Sequence, residues 1–392
     1  MTAWLIIPRD PVIFRDGRPF TAAPGARATT LPFPFPSTVS GAVRTLAGLN
    51  KDTGYFDTNR VDDLQKKQVR GPLLAELAAK DQVKRLLVPA PADALILKQE
   101  GKPESARRLW LRPVRLPDNF KTNFRDFPYL VAPRKPTKAK THRNTPAFWY
   151  WEDFEAWLLQ PQDEQEIPNI RAWGLQELPR DHRVHVRLAS ETQTADPGGL
   201  FVTSGLEFVR LPAGENTPLS QATEYGLLLD TEAEPAFPIG FLGGERRIAR
   251  WHASNTAFPS CPKALREQII KHKACRLVLL TPALFEQGYF PTWVLTQAGV
   301  QAEIQAAAVR RYRTVSGWDH QQEKPKANRR LAPAGSVYYL KLQGDPDAIR
   351  TFVDAVWMQN ISDDEQARRD GFGLAVLGTW SGEAVEMEVG DA

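Results

Sequence analysis

Ser336–Trp380 reads SVYYLKLQGDPDAIRTFVDAVWMQNISDDEQARRDGFGLAVLGTW. Ser336–Leu342 opens it as a strand, with Val337, Tyr339 and Lys341 on one face. Asp347–Trp357 follows as an amphipathic helix, with Ile349, Phe352, Val353, Val356 and Trp357 at helical spacing. Asp345-Pro346-Asp347 supplies its capping start. Gly373–Trp380 is the closing strand. Upstream, Tyr225–Asp230 and Arg276–Leu280 read as strands around a helix over Pro262–Lys273, and Ala308–Val315 as a strand that turns basic. The order β-α-β-β…β-α-β predicts a ferredoxin-like domain with one extra strand.

The N-terminal half repeats this plan more loosely. Trp4–Pro8 is a strand, Ser37–Leu49 a helix with Ser37 as N-cap, and Trp151–Leu159 a second helix. Arg85–Val88 and Ala94–Leu97 are short strands. Arg183–Ala189 alternates strictly and is followed by a turn-rich Glu191–Gly199 and a second strand, Leu206–Leu211, which makes a long hairpin. The fold class expected is α+β: two ferredoxin-like βαββαβ domains, residues 1–220 and 221–392, with long loop insertions and the hairpin as a thumb. Proline is abundant, 32 in 392 residues, and gathers in Pro8–Pro36, Pro89–Pro146 and Pro161–Pro179. Long loops of this kind carry function or disorder.

Charge is uneven. The net charge is only +4. Yet Gly101–Thr145 carries twelve Lys and Arg against three acids, and Val309–Arg330 seven against two. The last 32 residues hold eight acids and two arginines. A basic middle with an acidic tail points to a polyanion partner together with a protein partner, and away from an enzyme acting on a small neutral molecule. No apolar run is long enough to cross a bilayer, the N-terminus lacks the pattern of a signal peptide, and two cysteines give no disulfide framework. The expected compartment is the cytoplasm.

Motifs for catalysis and metals are weak. His252, Cys261, His272 and Cys275 have zinc-ligand chemistry without a recognised spacing. No nucleophile elbow and no phosphate-binding glycine loop is present. No metal or cofactor is expected. His142 in a basic loop and His185 on a basic strand are the candidate acid–base groups for RNA cleavage.

The binding signals are stronger. On the alternating strand, Arg183, His185 and Arg187 share one face, opposite Val184, Val186 and Leu188. Arg311 and Arg313 share a face, Arg329 and Arg330 end a basic loop, and Arg246 and Arg247 follow two glycines. In FPFPSTVSGAVR, Phe33–Arg44, a helix N-terminus offers free N–H groups to an anion. Gly41 there permits close packing on the helix.

Taken in order, IFRDGRPF at Ile13–Phe20, FPFPSTVSGAVRT, HVRLASETQTADPGGLF at His185–Phe201, FLGGERR at Phe241–Arg247, VLLTPALFEQGYFP at Val278–Pro291, SGWD at Ser316–Asp319, RRLAPAGSVYY at Arg329–Tyr339 and GFGLAVLGTW at Gly371–Trp380 resemble one family. It is the third Cmr subunit of type III-B CRISPR effector complexes, a RAMP protein. The likeness runs from the first strand to the last and skips chiefly residues 52–180. The resemblance implies a non-catalytic subunit that holds the 5′ tag of the guide RNA (crRNA). It also implies docking on the large polymerase-like subunit and the adjacent backbone RAMP subunit, with target RNA met indirectly. Carried onto this sequence, the resemblance points to the helix at Ser37–Arg44, the loop at Gly371–Gly373 and the hairpin at His185–Phe201; with the cationic clusters read from the residues, the RNA-binding positions expected are Arg15, Arg18, Ser37, Thr38, Arg44, Arg183, His185, Arg187, Arg246, Arg247, Arg311, Arg313, Arg329, Arg330, Gly371 and Gly373. The glycine-rich loop at Gly371–Gly373 is leaner than in other RAMP proteins, which weakens direct RNA contact there, and Leu374 stands where an RRM has a stacking aromatic. The alternative is a RAMP endoribonuclease that processes CRISPR repeat RNA through His142 or His185. A pure protein scaffold is the third reading.

Overall fold

The computed structural model describes residues 1–15, 27–28, 30–117, 122, 126–212, 217–319, 324–325 and 327–388. Arg18 lies outside the described residues. The chain divides into two compact units, and each is built from three separate stretches. Unit 1 is Met1–Lys84, Glu177–Thr256 and Thr314–Arg330; unit 2 is Arg85–Gln176, Ala257–Arg313 and Leu331–Ala392. The expected cut near residue 220 follows neither unit, because the strand read as the start of the second half pairs inside the first sheet.

In unit 1 the elements are β1 (Thr2–Pro8), α1 (Pro36–Ala47), β2 (Val69–Ala78), β3 (Arg180–Leu188), β4 (Ala195–Leu206), β5 (Thr223–Thr231), β6 (Ile239–Phe241) and β7 (Ile248–Ala253). The sheet runs β2-β5-β1-β7-β6, and every neighbouring pair is antiparallel. β1 and β2 are therefore parallel, joined through α1, with β5 slotted between them. Leu5, Ile6, Leu227, Leu228, Leu73 and Leu74 bury on the sheet, and α1 brings Val39, Val43, Leu46 and Ala47 as its apolar stripe.

Two details of α1 differ from the sequence reading. Phe35 is the N-cap, with Pro36 at the first helical position and no side-chain cap, so Ser37 and Thr38 lie in the first turn. Proline serves there because its missing N–H has no helical partner to lose. A Cβ on Gly41 would meet nothing within 4 Å. The close approach is at Gly240 on β6, where a Cβ would stand 3.0 Å from Leu46 Cδ2.

β3 and β4 form the hairpin. The pairing runs Arg180↔Leu206 to Leu188↔Ala195, with Val184↔Val202, His185↔Phe201 and Val186↔Leu200. The return strand is thus Ala195–Leu206, and not Leu206–Leu211. Pro197, Gly198 and Gly199 look like turn residues but continue the strand, and the turn is tighter, closed by Gln193 N donating to Ala189 O at 2.9 Å.

Unit 2 has α2 (Lys263–His272), β8 (Ala274–Leu279), β9 (Gln301–Ala308), β10 (Val337–Gln343), α3 (Pro346–Val356) and β11 (Leu374–Thr379). Its sheet runs β9-β10-β8-β11, again antiparallel throughout, with a short strand Gln359–Asn360 outside β11. β10 and β11 flank β8 and are joined by α3. Asp345 caps α3, accepting from Ala348 N at 2.8 Å. Ile349, Phe352, Val353 and Val356 bury beneath it. The expected basic strand Ala308–Val315 is absent. β9 ends at Ala308, and only Arg313–Val315 resumes as strand.

The stretch 85–176 folds onto this sheet through a buried charge. Arg276 of β8 is fully buried, and its Nη1 lies 2.6 Å from Asp93 Oδ2. Its Nη2 donates to Trp157 O at 2.6 Å and its Nε to Thr379 O at 2.9 Å. Trp157 Nε1 donates to the other Asp93 oxygen at 3.0 Å. Nearby, the guanidinium of Arg108 lies 4.5 Å over the Trp157 ring, and burial pushes it down to about 10.

Arg276→Met leaves the Asp93 carboxylate buried without its cation, and the expected loss is about 3–5 kcal/mol of stability. Urea unfolding followed by tryptophan fluorescence measures it. A loss below about 1 kcal/mol contradicts the pairing. Gly41→Ala, on an exposed helical position, is expected to raise stability by about 0.5–1 kcal/mol in the same assay, and a decrease contradicts the open space around it.

Candidate nucleic-acid interface

The segment Pro11–Arg15 joins the base of the hairpin and the Gly243–Arg247 turn of unit 1 through backbone bridges. Val12 bridges to Leu206 at the base of the hairpin, Ile13 to Gly244 and Arg15 to Thr30. Gly244 N donates to Ile13 O at 2.8 Å, which holds the Gly243–Arg247 turn against the segment. Gly243 has φ 70°, and a Cβ there would lie 2.7 Å from Ile13 O, so only glycine fits. Arg180, not singled out from the sequence, donates to Thr30 O at 3.3 Å. Residues from four separate stretches of sequence therefore meet through backbone pairing. Arg15 and Arg246 are exposed; Arg247 is half-buried and lies 3.4 Å from Glu245.

The hairpin carries two different faces. On one, Arg183 lies 2.5 Å from Asp181, Arg187 lies 2.5 Å from Asp196, and His185 stacks on Phe201 with ring centroids 5.1 Å apart. His185 Nε2 is 2.8 Å from Thr203 Oγ1. Both arginines thus carry a carboxylate partner in an exposed ion pair. Such pairs hold weakly, and a phosphate can replace the carboxylate on the guanidinium fork at little cost. The other face is aliphatic and uncovered: Val184 is 70% exposed and Leu200 60%, with Val186 and Leu188 beside them. The hairpin buries side chains only towards its base, at Thr203, Ser204 and Leu206, and the aliphatic face of Val184, Val186, Leu188 and Leu200 belongs to no core.

The other expected positions distribute as follows. Ser37 and Thr38 are half-buried in the first turn of α1, and Arg44 donates to Lys67 O at 2.9 Å. Arg329 and Arg330 are exposed in unit 1; Arg311 and Arg313 are exposed in unit 2. Gly371 and Gly373 are buried, which corrects their assignment as an RNA-facing loop. Gly371 O accepts from Thr281 Oγ1 at 2.7 Å, and a Cβ on Gly373 would stand 2.8 Å from Ser362 N. These glycines close a turn inside the fold.

The acid–base and metal candidates have structural occupations. His142 is buried. Its Nε2 is 3.2 Å from Pro103 O, and its Nδ1 is 3.1 Å from Asn144 N. Cys275 is buried in β8, and burial pushes the Cys261 thiol up to about 11. His252 falls in unit 1 and the other three zinc candidates in unit 2. Among the described residues, no three His, Cys, Asp or Glu side chains group as metal ligands. No helix among the described residues is long and apolar enough to cross a membrane.

Comparison with known proteins adds the family. The family model described as CRISPR-associated protein (Cas_Cmr3) matches residues 4–380. No curated protein matches the chain. Among solved structures, a chain of the cryo-EM structure of type III-B Cmr-beta bound to cognate target RNA and AMPPnP is 14% identical, with 90% of this chain and 87% of that chain covered and a TM-score of 0.44. A chain of the cryo-EM structure of Cmr-beta bound to cognate target RNA is 15% identical, with 86% of each chain covered and a TM-score of 0.44. A chain of the crystal structure of the Csm3-Csm4 subcomplex, from the type III-A CRISPR-Cas interference complex, is 9% identical, with 88% of this chain and 94% of that chain covered and a TM-score of 0.37. On the match across residues 4–380, the chain belongs to the Cas_Cmr3 family of CRISPR-associated proteins and is a Cmr-type subunit.

Proposed function

We propose that the chain is a non-catalytic, RNA-binding subunit of a type III-B Cmr effector complex. In this reading it holds the 5′ tag of the guide RNA and bridges the large polymerase-like subunit to the adjacent backbone RAMP subunit in antiviral defence. The observation that carries the reading is the convergence on Pro11–Arg15. Three backbone bridges bring the hairpin base, the Gly243–Arg247 turn and Thr30 to one segment. Exposed arginines on such a frame track phosphates, while the frame fixes their register. His185 stacked on Phe201 adds a flat surface beside them, of the kind that accepts an unpaired base.

The two ferredoxin-like domains belong to the same proposal. In each sheet one strand is slotted between two parallel strands joined through a helix. In unit 1 that helix follows the first strand, and in unit 2 it follows the third. This pattern supports a pair of split β-α-β folds. A non-catalytic role accords with the two histidines. His142 spends both ring nitrogens on backbone groups, and His185 is tied to Thr203.

Two measurements test this. Binding of the isolated chain to a single-stranded tag oligonucleotide is expected to weaken in Arg183→Gln/Arg187→Gln. The slope of log affinity against log salt should shrink by about 1.4, or roughly 0.7 per lost phosphate contact. An unchanged slope removes the hairpin from the site. Incubation with CRISPR repeat RNA in metal-free buffer is expected to yield no cleavage. Cleavage that disappears in His185→Ala or His142→Ala establishes the endoribonuclease in its place.

A further inference from the structure

The acidic end of the chain lies on the basic stretch of the same unit. Val385–Glu386 pairs in parallel with the strand Arg112–Arg115, Val385 opposite Val114 and Glu386 opposite Arg115. Met387 N donates to Arg115 O at 3.1 Å, and Glu388 N to Arg134 O at 2.9 Å. Side chains repeat the match. Glu386 lies 3.4 Å and Glu383 3.8 Å from Arg115; Glu388 lies 3.0 Å from Arg134 and 3.5 Å from Lys135. The strap is anchored at its start. Trp380 and Ala384 are buried, and Trp380 Nε1 donates to Glu383 O at 3.2 Å. Beyond Ala384 it is held by edge hydrogen bonds, by the half-buried side chains of Val385 and Met387, and by ion pairs in which every side chain is at least 41% exposed.

We propose that Arg115, Arg134 and Lys135 form a second polyanion site that the chain masks with its own acidic strap, Val385–Glu388, and that single-stranded RNA displaces the strap. Carboxylates and phosphates compete for the same guanidinium groups. Exposed ion pairs are weak and yield to salt. A free acidic peptide gains nothing that the tethered strap does not already have at high effective concentration. A nucleic-acid backbone gains more, because it releases its condensed counterions on binding. The choice of RNA as occupant rests on the function proposed above. The residues do not: none of them belongs to the unit 1 interface.

The test uses the full chain and a fluorescent oligouridylate of about 12 nucleotides, read by anisotropy at low salt. Glu386→Gln/Glu388→Gln is compared with a charge-matched control, Glu267→Gln/Asp347→Asn, which alters exposed acids elsewhere in unit 2. The strap variant is expected to bind about three- to tenfold tighter than the control, and adding Arg115→Gln/Arg134→Gln is expected to abolish the gain. Equal affinity in strap variant and control overturns the proposal. So does a gain seen with a polyglutamate peptide and not with RNA, which marks an acidic-protein site. If Arg183→Gln/Arg187→Gln still weakens RNA binding in that case, the masked site has failed and the hairpin interface stands.

Discussion

The buried pair of Arg276 and Asp93 is the constraint on which unit 2 depends. It ties the stretch 85–176 to a sheet built from residues beyond 257. Removing two charges from water costs several kcal/mol per ion, and apolar residues of similar volume would hold a core as well. What this pair supplies is direction. The guanidinium needs a carboxylate on one side and the carbonyls of Trp157 and Thr379 on the others, and Asp93 in turn needs the Trp157 indole. Together these bonds set the helix Trp151–Leu159 and the turn at Asp93 against β8 and β11.

With the scaffold fixed, the cations fall into two states. Those of the hairpin face lie beside acids of the hairpin itself, Asp181 and Asp196, in pairs that solvent reaches. Those of the basic middle are matched by acids from far along the chain. Arg107 pairs with Glu164, Lys102 with Glu166, Arg112 with Asp163, and Arg134 with Glu388. A cluster of twelve cations in the sequence is therefore no measure of the charge presented to a ligand. The strands Lys102–Trp110 and Arg112–Arg115 are ordered parts of sheets, where the sequence suggests an open basic loop.

Regular elements were legible where periodicity and capping agree. The helix with Ile349, Phe352, Val353 and Val356 beneath it is read from spacing alone, and Trp151–Leu159 likewise. The hairpin was legible as a hairpin, but its return strand was misplaced because Pro197-Gly198-Gly199 has turn chemistry inside a strand. The unit boundary was not legible, since the partners of Thr223–Thr231 are β1 and β2, more than a hundred residues upstream. In the site, the shared face of Arg183, His185 and Arg187 was legible from period two, while their carboxylate partners Asp181 and Asp196 were not. Arg276 carries a signal of its own in the sequence: a charge inside an apolar strand demands a buried partner. The meeting of Ile13 with Gly244 had no local signal, because backbone bridges between distant segments leave no pattern in either one.

The central claim is that the frame around Pro11–Arg15 and the hairpin face of Arg183, His185 and Arg187 contact guide RNA within an assembled effector. Ultraviolet crosslinking and mass spectrometry of a reconstituted Cmr particle, loaded with guide RNA, tests it most directly. Crosslinks from the first guide nucleotides to the hairpin and to the Gly243–Arg247 turn are expected. Crosslinks from those nucleotides to other subunits, with none to unit 1 of this chain, would contradict it.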